Sequence, residues 1–553
     1  MVGEYRLRAS FTLTAGQDDV VVLCARGDAL LRVQDYAGAA GCYRAALKLR
    51  PGLAEAHHQL GEAQYRLGDL DAAMACFRQA LALAPGHHEI RRNIGHLLER
   101  QGRLEEAQAA YEAAALLRPD DPALIGQIFY LKQRMCDWGS HAADRARLEA
   151  AALTGARELP WMMRGLGPSP AVELAVARRG AGALAGTARL PPAPARAAGR
   201  LRVGYLSSDF RNHPVGRLLA PVIAAHDRDG FELFGYSHGE DDGGAERAAL
   251  AAGFEHFVEL RPLDDAAAAA RIRADGIDLL IDLNGFTEGE RPGILARRPA
   301  PVQASWLGYT GTLGCDWIDY VIADGFALPF DRQAFYDERI VHLPGSFVPV
   351  DPRPVAAPPD RAALGLPATG FVFCCHSNAY KITPAMFDVW MRLLVAVRWS
   401  VLWLYAPQAE AQVNLRREAV ARGVDSRRLV FAAGWGLAGY RARMGAADLF
   451  LDTSPYSAGT VAGDALAAGL PLLTLAGETF ASRHAGSLLH AMGRDDLIVD
   501  TLAAYEARAL ELAAGGRPAR VRVGALADAR AFARGLERVF REIGAARDVA
   551  GPS

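Results

Sequence analysis

The sequence predicts an array of paired helices followed by two α/β lobes, each built on a mainly parallel sheet. Three observations carry this fold class. Residue types recur at a 34-residue step over the first 120 positions. Beyond residue 200, short apolar runs alternate with helical stretches. Two proline-rich breaks, at 190–200 and 351–370, bound the alternating part and cut it in two. At 553 residues the chain exceeds what one hydrophobic core usually serves, and its 51% hydrophobic content can give each domain a core of its own.

The repeats come first in the chain. Pro51, Pro85 and Pro119 keep the 34-residue step, as do Gly27, Gly61 and Gly95. So do Tyr43, Phe77 and Tyr111, and Ala39, Ala73 and Ala107. Each unit reads as two helices, such as HHQLGEAQYRLG then LDAAMACFRQALALAP. Small residues let the helices approach, the aromatic is expected to fill the space between neighbouring units, and proline ends the second helix. This is the tetratricopeptide pattern, whose stacked pairs form a groove suited to extended peptide. A protein partner is therefore expected.

Residues 1–19 precede the array at 20–120. Helical character without the step continues through 121–199 and is expected to cap the array, ending in the linker LPPAPARAAGR. The first lobe is expected over 200–350, with strands at LRVGYLS, FELFGYS, IDLLID, PVQASW and IDYVIA. A linker at 351–370 leads to the second lobe at 371–545, with strands at FVFCC, VLWLY, RLVF, DLFLD and LPLLTL. Strands alternating with helices imply doubly wound sheets, whose ligands bind beyond the carboxyl ends of the strands.

Composition excludes several classes. With 61 Lys plus Arg against 63 Asp plus Glu, the chain has no electrostatic footprint for nucleic acid or an anionic membrane. Seven scattered cysteines suggest neither a disulfide framework nor a zinc site, and Cys374-Cys375 sits in an apolar run that reads as buried. No signal-like or membrane-spanning run is evident, so a cytoplasmic protein is expected.

The loops after the strands carry the candidate chemistry. Ser207 to Pro214 follows the first strand, and Pro214 at a first helical turn places His213 at the helix mouth, as a base or as a donor to ligand. Asp282 and Asn284 follow a strong strand, and Thr310, Gly311 and Thr312 lie in a small-residue loop whose glycine spacing is not GxGxxG. In the second lobe, Asn378 and Lys381 precede a helix that Thr383 caps and Pro384 opens, leaving Lys381 a point charge for phosphate. Gly459 and Thr460 stand at another helix mouth, where N–H groups and the dipole favour an anion; Asp464 lies one turn in, and Glu478 follows the next strand. Asp241-Asp242 lies in a glycine-flanked loop and reads as solvated, so no metal is expected.

Taken together, CDW, VGYLSSDFRNHPVG, IDLNGFTEGERPGILARRPAPVQASWLGYTGT, NAYKITPAMFDVWMRLL, DLFLDTSPYSAGTVAGDAL and GETFASR resemble the O-linked N-acetylglucosaminyltransferases and SPINDLY proteins. The resemblance runs from about residue 20 to 500 in the same order. It implies two Rossmann-like lobes of the glycosyltransferase B type and inverting, metal-independent transfer from a nucleotide sugar to Ser/Thr of proteins chosen by the repeat groove. UDP-GlcNAc is favoured as donor over GDP-fucose, with a weakened scaffold protein as the other class. The resemblance makes His213 the active-site histidine, Lys381 the diphosphate lysine with Asn378 beside it, Thr460 the phosphate-helix threonine, Asp464 the ribose aspartate and Tyr440 the base-stacking ring. This chain departs from it at Gly459-Thr460-Val461, where the N-acetylglucosaminyltransferases commonly carry His-Thr-Thr, and at Gly436-Leu437, where a lysine is missing.

Overall fold

A computed structural model describes residues 17–33, 35–154, 159–192, 199–434 and 436–545. Most of the 1–19 segment and of the 190–200 linker therefore falls outside the described residues. The chain divides into two compact units, residues 1–124 and 125–553.

The first unit holds three antiparallel helix pairs: Gln17–Arg32 with Tyr36–Leu49, Ala54–Leu67 with Leu70–Leu83, and His88–Arg100 with Leu104–Ala115. The 34-residue register has a direct packing cause. A Cβ added at Gly27 would lie 2.6 Å from the Tyr43 ring, one at Gly61 equally close to Phe77, and one at Gly95 closer still to Tyr111. The ring thus fills the seam inside its own pair, not the space between neighbouring units as its periodicity alone suggested. Ala39, Ala73 and Ala107 are fully buried. Folding also assembles a group that no sequence spacing revealed: ligand atoms of Glu55, His58 and His87 lie within 4.8 Å of one another.

In the second unit the first lobe is a seven-stranded parallel sheet of β1 (Leu201–Ser207), β2 (Phe231–Ser237), β3 (His256–Glu259), β4 (Leu279–Asp282), β5 (Val302–Ser305), β6 (Tyr320–Ala323) and β7 (Arg339–His342), in the order 3-2-1-4-5-6-7. The second lobe repeats the design with β8 (Val372–Cys375), β9 (Val401–Leu404), β10 (Leu429–Phe431), β11 (Leu449–Leu451), β12 (Leu472–Leu475) and β13 (Ile498–Val499), in the order 10-9-8-11-12-13. In both sheets the order reverses beside the first strand, between β1 and β4 and between β8 and β11, which opens a crevice at the strands' carboxyl ends. The three strands without a sequence signal, β3, β7 and β13, are all edge strands. Exposed or half-buried positions interrupt the apolar run in all three, whereas β4, β5, β8 and β11 are buried throughout.

Residues 125–192 behave differently from the cap expected at 121–199: they fold as part of the lobes. Cys136 and Trp138 join the core under one face of the second sheet, while Ala177 and Ala181 join the core under the first. Asn414 donates to the Met135 carbonyl at 2.9 Å, and Gly167, with φ +60°, presses against the Pro455 ring.

The chain also returns across the lobes. Helix Ala529–Ala545 follows the second lobe in sequence yet packs on the first, with Phe540 fully buried beside Tyr205, His226 and Phe231. Glu537 there accepts from His226 at 3.0 Å and from the Asp227 N–H at 2.8 Å. The outgoing and returning connections meet at Asp448, ion-paired with Arg361 at 2.8 Å and Arg517 at 3.3 Å.

Among the described residues no helix is long and apolar enough to cross a membrane, and all seven cysteines are free, with Cys374 and Cys375 buried on β8 as their apolar run predicts.

Candidate active site

The loop that closes β11 begins with an anchor. Asp452 accepts from Ser457 Oγ at 2.7 Å, Thr474 Oγ1 at 2.6 Å and the N–H groups of Thr453 and Ala458 at 2.8 and 2.7 Å. The three bonds from Thr453, Ser457 and Ala458 fold residues 453–458 into a tight arch that delivers Gly459 to the mouth of helix Thr460–Ala467, and the fourth ties Asp452 to β12. The first N–H groups of any helix lack intrahelical acceptors, so this mouth presents donors and the positive dipole end to the crevice.

Lys381 reaches the same arch from the β8 loop. Its Nζ donates to the Ser457 carbonyl at 2.9 Å and sits 3.6 Å over the Tyr456 ring, which leaves ammonium donors for a ligand. Arg164, from the connector, approaches Tyr456 from the other side: Nη1 donates to its hydroxyl at 2.9 Å, and the guanidinium lies 4.0 Å over Tyr309. The Arg164 Nε and Nη2 atoms are buried without hydrogen-bond partners. Burial raises the Tyr456 phenol's pKa, but Arg164 and Lys381 outweigh it and draw the pKa down to about 8; burial also lowers that of Lys381. Two cations held around one phenol at a helix mouth make a seat for a multiply charged anion.

Beside the seat lies a cavity of about 290 Å³ lined by His376, Asn378, Tyr405, Leu437, Tyr440, Arg443 and Val461. It brings Asn378 and Tyr440 together with the residue after Thr460. Its size and aromatic wall suit a nucleoside. His376 stands on edge against Trp403, and burial holds its imidazole down to about 3, hence neutral.

Asp464 is placed less freely than a ribose contact requires. Its oxygens meet Arg217 of helix Pro214–Ala225 at 2.9 Å and Arg441 at 3.1 Å, so it ties one lobe to the other. A carboxylate has about four acceptor positions, so the two arginines do not exhaust it, although the side chain is almost fully buried.

Across the crevice His213 caps helix Pro214–Ala225, its Nδ1 accepting from the Val215 N–H at 3.3 Å and lying 3.5 Å from Asp209. Burial lowers the imidazole's pKa against the pull of Asp209, which leaves it neutral at pH 7. The Val215 contact favours the Nε2–H tautomer, a donor; the Asp209 contact favours Nδ1–H, which frees Nε2 as a base. Behind it, Asn284 accepts from the Ser208 N–H at 2.8 Å and donates to Asp209 at 3.3 Å. Asp282 in turn accepts from the N–H groups of Asn284 and Gly285 at 3.1 and 2.9 Å. Burial pushes its carboxyl up to about 6. Asp282 and Asn284 thus build the loop under His213, and Asp282 also lines a small cavity with His238 and Arg291.

The other cleft candidates separate similarly. Thr312 donates to Glu338 at 2.7 Å and shapes its own turn, and Gly311 packs on the Tyr309 ring. Thr310 is buried with its hydroxyl unpartnered, whereas Glu478 lies on the exposed rim. Sequence reasoning missed Arg164, Tyr456, Asp452 and His484. Tyr456 stood in a recognised loop, but nothing in the 159–166 segment marks Arg164 as a site residue.

Two Rossmann-like lobes with cations, a helix mouth and a cavity at one edge have the architecture of doubly wound proteins, whose ligands bind at the point of strand reversal. The comparisons narrow this class. Residues 188–356 and 353–522 match the profile described as Glycosyl transferase family 41, and residues 24–88 and 67–126 match tetratricopeptide repeats. The chain belongs to glycosyl transferase family 41. It is 37% identical over 322 residues to a probable UDP-N-acetylglucosamine–peptide N-acetylglucosaminyltransferase SEC of Arabidopsis thaliana, covering 57% of this chain and 33% of that one. It is 30% identical over 375 residues to the corresponding probable enzyme SPINDLY of Oryza sativa subsp. japonica, covering 62% and 39%. The chain thus spans little more than a third of the length of these curated relatives. A mutant O-GlcNAc transferase of Thermobaculum terrenum superposes over 97% of this chain and 100% of its own, at a TM-score of 0.69 and 27% identity.

Proposed function

We propose that this protein is an inverting protein O-glycosyltransferase that moves a sugar, GlcNAc by preference, from a nucleoside diphosphate to Ser or Thr hydroxyls. The convergence of Lys381, Arg164 and the Thr460 helix mouth beside a nucleoside-sized cavity is the observation that carries this reading. The acceptor oxygen attacks the anomeric carbon from the face opposite the diphosphate, and the bond from that carbon to phosphate oxygen breaks. Charge grows on the departing phosphate, where preorganised cations and helix N–H groups stabilise it. This assigns the neutralising role to protein groups and calls for no metal. The hydroxyl proton needs an acceptor, and His213 fills that role once Nδ1 exchanges the 3.3 Å Val215 contact for donation to Asp209, which frees Nε2. The free cysteines are consistent with a cytoplasmic setting.

The donor is tested by incubating the protein with labelled UDP-GlcNAc and GDP-fucose plus cell lysate. Label from UDP-GlcNAc on protein is expected. Label from GDP-fucose alone would support the second reading, an O-fucosyltransferase, which the Ala458-Gly459-Thr460 run favours. If neither UDP nor GDP raises the melting temperature, the chain is a scaffold instead.

The repeat groove is assigned to acceptor choice. Removing residues 1–120 should then depress transfer to protein substrates far more than hydrolysis of the donor, with equal loss of both as the contrary result.

The phenol at the seat gives a pH signature. Below about pH 8 Tyr456 is neutral and both cations act on the ligand; above it the phenolate cancels one charge. Affinity for pyrophosphate should therefore fall severalfold between pH 7 and 9 in the wild type and not in Tyr456→Phe. Titration calorimetry across that range measures it, and an identical fall in both proteins would assign the titration to another group.

A further inference from the structure

Position 459 lacks a side chain at the phosphate helix mouth, yet an imidazole stands there. A Cβ built on Gly459 would lie 3.0 Å from Nδ1 of His484, so the histidine ring occupies the space that a side chain at 459 would enter. His484 is the first residue of helix His484–Ala491, on a different segment from the loop it faces. Ser457 Oγ fixes that helix start by accepting from the Ala485 N–H at 3.1 Å, so the arch and the histidine are built as one unit.

Three observations indicate that the ring serves a ligand. His484 is 92% buried, yet neither ring nitrogen has a hydrogen-bond partner. Burying an imidazole that makes no bond is costly, and histidines so placed are normally satisfied. Phe480 meets the ring edge-on at a centroid distance of 6.1 Å and Phe347 lies tilted against it at 5.3 Å, which fixes its direction. Lys381 and Arg164 are the charged groups that act on it, both cations, and with burial they keep the imidazole neutral. A neutral ring can donate one N–H to an anion without adding a third positive charge to the seat.

We propose that His484 is a donor to the ligand's diphosphate, supplying across the helix mouth the imidazole that position 459 lacks. This rests on the transferase reading for the identity of the ligand, but the exchange of positions is independent of it. Gly459 has φ −92° and ψ −99°, so a histidine returned to the loop once the ring at 484 is gone needs ψ brought into the helical range, a change of about 30°.

The test uses full-length protein, titrated with inorganic pyrophosphate, UDP and uridine, in three variants: His484→Ala, Gly459→His and the double variant Gly459→His/His484→Ala. His484→Ala is expected to weaken pyrophosphate and UDP about tenfold, the worth of one hydrogen bond to a charged group, and to leave uridine unchanged. Gly459→His alone, with two rings contending for one space, should lose thermal stability. The double variant should recover both stability and pyrophosphate affinity. Unchanged pyrophosphate binding in folded His484→Ala, equal losses for pyrophosphate and uridine, or a double variant no better than either single one would each overturn the proposal. Wild-type protein that binds pyrophosphate but neither UDP nor GDP would sink the transferase reading and leave the anion role of His484 standing. Wild-type protein that binds none of them sinks both.

Discussion

Lys381→Ala is expected to lower turnover roughly 10²- to 10³-fold, the range seen when one preorganised donor to a developing anion is removed. The fold should survive. Within the protein the substitution removes the 2.9 Å bond to the Ser457 carbonyl, worth about 1 kcal/mol, while the arch keeps its three bonds to Asp452. The melting temperature should shift by no more than a few degrees. A steady-state assay with the melting curve separates the two effects, and unchanged turnover would remove Lys381 from the chemistry. Because the lysine serves the leaving group rather than the acceptor, the loss should appear in kcat with every acceptor.

Phe540→Ala carries the largest expected effect on stability, about 3–5 kcal/mol. Its ring is fully buried against Tyr205, His226 and Phe231, so truncation opens a void in the first lobe from a residue far beyond the second. Chemical denaturation followed by tryptophan fluorescence measures the loss. A loss under about 1 kcal/mol, well below that range, would mean that helix Ala529–Ala545 merely rests on the lobe.

The repeat register was readable from residue types because its cause is local: a glycine, a ring and an alanine recur where two helices touch. The inner strands were readable because strands covered on both faces are continuously apolar. Lys381, Thr460 and Asp464 stood out as candidates because loops after such strands face the crevice where ligands of doubly wound sheets bind. Arg164 and His484 did not. Each acts through the space between segments distant in sequence, and a buried arginine with unsatisfied nitrogens looks in sequence like any other arginine. Asp282 and Asn284 show the converse. Their types suggested ligand contact, yet Asp282 holds the backbone of its own turn and Asn284 ties that turn to the loop after β1.

Helix Ala529–Ala545 makes the chain pass between the lobes twice, and both passages are pinned at Asp448. Rotating one lobe against the other must therefore carry both passages together or break the Asp448 pairs, so the two crossings act as a single tether.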